Sequence, residues 1–405
     1  VALIVQKYGG TSVGTVARIK RVAKRLAMLK DRGDDLVVVV SAMGHTTDKL
    51  LALAHKINPH PADRDYDMLL STGEQVSIAL LSMALHAMGY KSISLTGAQA
   101  GIQTDSTHAK ATITNINTRS LRKYLKEGNI VIVAGFQGVD KENQITTFGR
   151  GGADTTAVAL AAALKADWCA ILTDVDGVYT CDPRMVPEAQ KLDEISYDEM
   201  LELASLGAKV LHPRSVQVAK EYGVTLHVRS SFNMKPGTLV KEVKDLENIR
   251  IVSGVACDKD AAKVTLMAVP DKPGVAATIF SALGDAAINV DMIIQNINRG
   301  QTNDITFTVD ESDLDKTVDA VKKLKKTLNF KGVVTDNNTA KVSIVGAGMF
   351  SHPGTAARMF RCLGDAGVNI QMISTSEIKV SCLIERKLAA KAVKALHKEF
   401  ELEQA

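Results

Sequence analysis

The chain has 405 residues, 46% of them hydrophobic, more than one core usually organises and enough for two or three packed domains. Its 49 basic and 45 acidic side chains nearly cancel, and no Lys/Arg block is interleaved with aromatics, which argues against a nucleic-acid partner. Cys169, Cys181, Cys257, Cys362 and Cys382 are widely spaced without a CxxC pair, which argues against a disulfide framework or zinc site and predicts a reducing, cytoplasmic setting; no run near the roughly 18 apolar residues of a membrane span is expected.

An apolar run at 2–5 leads into Gln6-Lys7-Tyr8-Gly9-Gly10-Thr11-Ser12 and then into helical spacing. A strand that delivers a lysine to a Gly-Gly turn before a helix suits an anion. The glycines admit backbone N–H groups to phosphate oxygens, the helix offers its positive end, and Lys7 adds a full charge. A nucleotide phosphate is the expected ligand, although a plain βα turn with a surface lysine has the same pattern. Over 13–29, Val13, Val16, Ala17, Val22, Ala23, Leu26 and Leu29 fall near one helix face. Arg18, Arg21, Lys24, Arg25 and Lys30 fall largely on the other, which is expected to be solvated. Residues 36–40 form the β-branched run of a strand buried on both sides, with Ser41-Ala42-Met43-Gly44 at its carboxyl end. Residues 92–95, 130–134 and 170–173 read as further buried strands. Strands alternating with helices to about residue 230 predict a doubly wound α/β sheet, in which ligands gather beyond the carboxyl ends of the strands.

Three polar segments fall at such places. Glu74, in Ser71-Thr72-Gly73-Glu74-Gln75, reads as a carboxylate in or beside a helix, and an exposed helix glutamate has the same signature. Phe148-Gly149-Arg150-Gly151-Gly152-Ala153-Asp154-Thr155-Thr156 sets one arginine among three glycines at the head of an Ala/Leu helix. Such an arginine can clamp a substrate carboxylate through two hydrogen bonds while the glycines allow close backbone approach. Asp154 reads equally as a plain N-cap. Thr173-Asp174-Val175-Asp176-Gly177-Val178-Tyr179-Thr180-Cys181-Asp182-Pro183-Arg184 is either an ordinary polar loop or a nucleotide-edge loop in which Tyr179 and Arg184 meet base and phosphates. Its aspartates invite a metal reading, but Asp-Gly and Asp-Pro are common turn chemistry, and no metal ligand is assigned.

After residue 245 an internal repeat appears: the run from Pro273-Gly274 to Met292-Ile293 matches the run from Pro353-Gly354 to Met372-Ile373 at a constant offset. Each copy predicts a first strand (263–269; 341–347), a Pro-Gly turn opening a helix, a return strand (288–293; 368–373), a third strand and a second helix. This βαββα order is a small ferredoxin-like module. Copy one has a closing strand at 332–335, whereas copy two reaches Phe400 with only a few polar residues left. The β-rich run 249–256 is therefore expected to cross over and complete copy two, so that copy one is inserted within it.

Together, Lys7-Tyr-Gly-Gly-Thr-Ser, Ser41-Ala-Met, Ser71-Thr-Gly-Glu74, Gly135-Phe-Gln-Gly, Gly149-Arg-Gly-Gly, Thr173-Asp-Val-Asp-Gly-Val-Tyr and the paired Pro-Gly modules resemble the aspartokinases, amino-acid kinases with C-terminal regulatory ACT domains. The match spans essentially the whole chain. It implies a three-layer α/β/α kinase domain at 1–245 followed by ferredoxin-like (ACT) α+β modules at 262–337 and at 249–261 plus 338–405. It also implies ATP-dependent phosphorylation of the side-chain carboxylate of L-aspartate to 4-phospho-L-aspartate, on the way to lysine, threonine, methionine and isoleucine. By resemblance Lys7 sits over the transferring phosphoryl group, Tyr8, Gly9 and Gly10 line the ATP phosphates, and Asp154 orients Lys7. Glu74 takes the substrate ammonium and Arg150 its carboxylate, with Ser41, Thr47, Gly151 and Gly152 completing the pocket. Thr173, Asp174, Tyr179, Arg184 and Lys209 match nucleotide-loop positions, and Mg2+ is expected on ATP oxygens and water.

The modules imply amino-acid effectors, lysine, threonine or both. Asp271, Gly274, Val275, Ala276, Asn289, Asp291 and Gln295 would bind in copy one, and Ser351, Gly354, Thr355, Asn369, Ile370, Ser374 and Thr375 in copy two. Pairing of such modules implies a homo-oligomer, or a hetero-oligomer with a regulatory chain made from an internal start. Two positions depart from the family pattern: Ala153 replaces a serine, removing one hydroxyl near the substrate, and Val1 stands where an initiator methionine is usual. Glutamate or acetylglutamate phosphorylation, and a non-catalytic amino-acid sensor, are the competing readings.

Overall fold

Side chains alternate across a strand, so a β-branched run with no polar position can be buried only by cover on both faces. That is how the first half folds. An eight-stranded sheet contains β1 (Leu3–Tyr8), β2 (Asp35–Val40), β3 (Ser92–Leu95), β4 (Ile130–Ala134), β5 (Trp168–Thr173), β6 (Glu194–Ser196), β7 (Leu226–Ser230) and β8 (Thr238–Lys241), in the order β6-β8-β7-β5-β1-β2-β4-β3. The strands from β7 to β3 in that order are parallel to one another, and β8 is antiparallel to β7. The computed structural model describes residues 1–207, 210–243, 250–297 and 302–404; Lys209, the expected boundary at 245 and the first residue of the run 249–256 lie outside them.

Ile4, Tyr8, Leu36, Val38, Val40, Ile130, Ile132, Ala170 and Leu172 form one core with Val22 and Leu26 of α1 (Val16–Asp31) and Ile78, Leu81 and Leu85 of α2 (Asp63–His86). The alternate residues, among them Val5, Val37, Val39, Val131, Val133 and Ile171, are equally buried, and α3 (Gly152–Leu164) packs against β1, β2 and β5 to make the third layer.

Three details differ from expectation. First, α1 begins at Val16, because Thr15 caps it by accepting the Arg18 N–H at 3.2 Å and Gly10–Val13 form a 3-10 turn. Second, Arg25 is not solvated: it is 7% exposed and donates to the carbonyls of Ser230 at 3.1 Å and Asn233 at 3.3 Å. Third, α2 does contain a window apolar enough to cross a membrane by length and composition. Half of that window is buried, and the helix also buries Asp67 and Glu74, as a core helix beside a polar site does.

The chain divides into two units: Val1–Val178 with Lys191–Ser205 and Lys209–Asp245, and Tyr179–Gln190 with Leu206–Ala208 and Leu246–Ala405. The expected boundary at 245 thus misses one excursion. Cys181, Val186 and Ala189 are buried in one cluster with Val252, Val342, Met359 and Leu396, so apolar burial assigns their segment to the second unit.

The second unit holds two antiparallel four-stranded sheets. The first runs Ile293–Ile297, Thr302–Asp310, Ala261–Pro270, Gly332–Asp336; the second runs Gly254–Asp258, Thr339–Val345, Lys379–Glu385, Ile370–Ser376. Gly254–Asp258 therefore pairs with the first strand of copy two, Gly254 opposite Val345 and Asp258 opposite Lys341. Both return strands start later than their apolar residues suggest. Ile288 and Val368 instead close the preceding helices, donating N–H to the carbonyls of Leu283 and Leu363 at 2.9 Å while their side chains enter the core.

Candidate active site

The carboxyl ends of β1, β2, β4 and β5 lie side by side, with Tyr8 paired to Val40 and to Leu172, and Val40 to Ala134. Period-2 alternation sends Tyr8 and Lys7 to opposite faces. Tyr8 is fully buried in the α1/α2 layer, where its hydroxyl donates to Gln6 Oε1 at 2.9 Å, so its side chain is not an ATP ligand. Lys7 points to the α3 side, and its Nζ lies 2.6 Å from Asp154 Oδ1. Only about an eighth of either side chain is exposed, and Asp154 Oδ1 takes no other hydrogen bond among the described residues. Asp154 thus orients the ammonium rather than capping its helix.

The glycine turn is only partly free for phosphate. The Gly9 N–H donates to the Leu172 carbonyl at 3.2 Å, which withdraws the donor expected there, while no backbone acceptor among the described residues takes the Gly10 N–H. A Cβ on Gly10 would come within 2.7 Å of the Ala42 carbonyl, so the turn after β1 touches the loop after β2 directly. Ser41 and Thr47 sit on and just after that loop, both half-buried, and neither hydroxyl has a hydrogen-bond partner among the described residues.

Gly73 lets α2 press on the same loop: a Cβ there would lie 2.9 Å from the Ala42 methyl. The close approach delivers Glu74, 4% exposed, whose Oε1 accepts the Ala42 N–H at 3.1 Å. Oε2 has no partner among the described residues. Burial pushes the Glu74 carboxyl up to about 7, against the lowering effect of the Ala42 N–H. A buried carboxylate with one oxygen anchored and one unmet is a receptor for a cation.

Gly149 and Gly151 both hold φ +71°, the left-handed conformation, and Gly152 N–H closes the turn onto the Gly149 carbonyl at 3.1 Å. Arg150 is thereby presented to solvent at the head of α3. Gly152 leaves no room for a side chain beside Phe136 and Phe148, while Ala153 packs its methyl over Gly135 at the helix–sheet contact. Thr173 ends β5 and Asp174 follows it, on the edge that holds Lys7, with Thr173 Oγ1 donating to Asp174 Oδ1 at 3.1 Å. Tyr179 and Arg184 belong to the second unit instead: Tyr179 packs on its apolar cluster and Arg184 forks onto Asp182 at 2.8 to 3.1 Å. Among the described residues, no group of three or more His, Cys, Asp or Glu is placed to hold a metal ion.

Sequence reasoning missed the supports. Asp67, fully buried two turns before Glu74, accepts from His108 Nδ1, the Ala109 N–H and Thr147 Oγ1, and so pins the loop beneath Gly149. His212, Pro213 and Arg214 start α4 (Pro213–Tyr222), and Arg214 donates to the carbonyls of Phe148 and Ala111. A helix start with Pro at N1 was legible there; its destination was not.

In the second unit, Gly274 (φ +88°) and Gly354 (φ +95°) precede helices that begin at Val275 with Ala276, and at Thr355. Asp271, Asn289 and Asn369 are exposed nearby, and Gln295 lies on Ile293–Ile297. Ser351 and Thr355 already donate to the carbonyls of Gly348 and His352. Asp291 is committed to an ion pair with buried Lys341, which removes it from the free effector ligands. Ile370, Ser374 and Thr375 share the strand Ile370–Ser376, and only Ile370 of the expected effector residues reaches a cavity of about 450 Å3, lined also by Lys263, Thr265, Ile294, Asn296 and Gln371.

The chain matches the Amino acid kinase family over residues 2–230 and the ACT domain over 267–324 and 342–400. It is 54% identical to an aspartokinase of Bacillus sp. over 99% of this chain and 97% of that one, and 53% identical to an aspartokinase of Pseudomonas aeruginosa over 99% and 98%. E. coli aspartokinase III, solved with aspartate and ADP, superposes with a TM-score of 0.83 at 26% identity, covering 98% of this chain and 99% of that one. The same enzyme with lysine and aspartate gives a TM-score of 0.76. With the kinase family matched over more than half of the chain, ACT domains matched after it, and relatives 53 to 54% identical over nearly their whole length, the chain belongs to the aspartokinase family.

Proposed function

We propose that the chain phosphorylates the side-chain carboxylate of L-aspartate with ATP to give 4-phospho-L-aspartate, a step toward lysine, threonine and methionine. The observation that carries this reading is Glu74 Oε2, buried and unmet, in the first unit with the Lys7–Asp154 pair and Arg150. An α-amino dicarboxylate offers one group for each: its ammonium for Glu74, its α-carboxylate for Arg150, and its side-chain carboxylate as the nucleophile toward the γ-phosphorus. The transfer makes a new carboxyl O–P bond and breaks the bond from phosphorus to the β,γ-bridging oxygen, leaving ADP. Lys7, held by Asp154, neutralises the charge spread over the migrating oxygens. With no cage of carboxylates among the described residues, Mg2+ would arrive on the nucleotide and supply charge neutralisation of its phosphates. Thr173 and Asp174 stand beside the expected phosphate path.

The ACT modules support feedback by lysine, threonine or both, and the exposed apolar residues Ile293, Val334, Phe350 and Ile373 support pairing with another copy or a separate regulatory chain. Five free thiols support a reducing cytoplasm. The test is acyl-phosphate trapping with ATP and aspartate, glutamate or acetylglutamate, repeated with lysine and threonine. Aspartate-dependent product is expected; product with glutamate or acetylglutamate only, or none, removes the reading.

A further inference from the structure

His212 lies outside every assignment made so far, yet it touches the centre of the arginine loop. Gly151 is at φ +71° and has no space for a side chain, because a Cβ there would overlap the Cβ and ring of His212. The Cβ, Cγ and Cδ2 edge of His212 therefore abuts the backbone at Gly151, between Arg150 and Asp154. Its own position is fixed by helix initiation. His212 is the N-cap of α4, its Nδ1 accepts the Arg214 N–H at 3.3 Å, and its carbonyl accepts from Ser215 N–H at 3.0 Å and Ser215 Oγ at 2.7 Å. Next to it, Arg214 Nη1 and Nη2 hold the carbonyls of Phe148 and Ala111 at 3.5 and 3.0 Å.

Because Nδ1 accepts, the proton of a neutral ring is on Nε2. Burial, the larger effect, and Arg214 hold the imidazole below its ordinary pKa, against the pull of Asp154, which favours the neutral ring. A neutral, half-buried ring can pack on a peptide without setting a second fixed cation against Arg150.

We propose that His212 is a positioning residue for the reaction: by packing on Gly151 it fixes the Gly149–Arg150–Gly151 turn, and so the reach of Arg150 toward a substrate carboxylate. The inference rests on the aspartate kinase reading for its kinetic consequence, but not for its structural one. His212→Ala removes both ring and cap, whereas His212→Asn keeps an N-cap acceptor and removes only the ring.

In His212→Asn the KM for aspartate is expected to rise about tenfold or more while the KM for ATP stays within about twofold. The amide of Gly152, closed onto Gly149 O, is expected to exchange with solvent about tenfold faster, with the melting temperature near that of wild type. If His212→Ala fails to fold, His212→Asn decides the matter alone. Unchanged exchange at Gly152 overturns the proposal, as does an unchanged KM for aspartate in an active enzyme. Faster exchange in a protein whose wild type makes no aspartyl phosphate upholds the packing role and sinks the functional reading instead.

Discussion

The two charged ends of the site are built on opposite principles. Lys7 and Asp154 satisfy one another at 2.6 Å before any substrate arrives, whereas Glu74 is anchored by one oxygen and left open at the other. A closed ion pair stores orientation: the ammonium is already aimed, and phosphate oxygens need only join it. A half-open carboxylate stores affinity, because its unmet oxygen is compensated only when a cation binds. Damage at the first end should appear in turnover, and damage at the second in substrate affinity and pH dependence.

The largest effect is expected at Lys7. Lys7→Met should lower kcat about a thousandfold while changing the ATP dissociation constant only a few-fold, measured by steady-state assay and calorimetry. The same change leaves the nearly buried Asp154 without its partner and should cost about 3 kcal/mol of stability. Adding Asp154→Asn should restore the melting temperature but not the turnover. A double variant that regains turnover would mean that the pair is structural.

Glu74→Gln should raise the KM for aspartate about tenfold to a hundredfold with kcat within a few-fold, since an amide no longer neutralises the ammonium. In the wild type, protons compete with that ammonium because burial raises the carboxyl to about 7. The KM for aspartate should then rise about fivefold between pH 7 and pH 6, and this dependence should vanish in Glu74→Gln. A flat wild-type profile would assign the ammonium to another group.

The last effect is on stability. The folded Glu74 carboxyl lies above its unfolded value, so its contribution is fully present below about pH 4.5 and is lost as pH rises through about 7. Glu74→Gln does not titrate. Its advantage over wild type should be negligible below pH 4.5 and reach on the order of 3 kcal/mol at pH 8, read by urea unfolding at the two pH values. A constant difference across that range would show that Glu74 ionises in the folded protein as freely as in water.

Much of the frame was legible because burial on both faces leaves a mark on every residue of a strand. The runs 36–40, 92–95 and 130–134 lie within or coincide with strands, and the Pro273-Gly274 and Pro353-Gly354 turns open helices in both modules. Glu74 and Asp154 were legible as residues but not as environments. An exposed helix glutamate and a helix N-cap have the same local sequence, and only Gly73 against Ala42 and the facing of β1 against α3 separate the readings. Arg25 was misread because helical spacing marks a face as polar without saying whether carbonyls such as that of Ser230 wait there. Tyr8 was misplaced for a related reason: its neighbour in sequence points to the opposite side of the sheet.

By itself the chain determined what depends on local pattern: an α/β first half, a duplicated βαββα second half, the order of its motifs, and a lysine brought by a strand to a glycine turn. Tertiary structure alone decided which donors remain for phosphate, which carboxylate is left half-met, that Tyr179–Gln190 packs with the second unit, and that a histidine more than fifty residues beyond the arginine loop covers Gly151. The physical reason is range. Backbone preference and side-chain periodicity act within a turn or a pleat, whereas burial, electrostatic pairing and close packing are set by whichever residues the fold brings within a few ångströms.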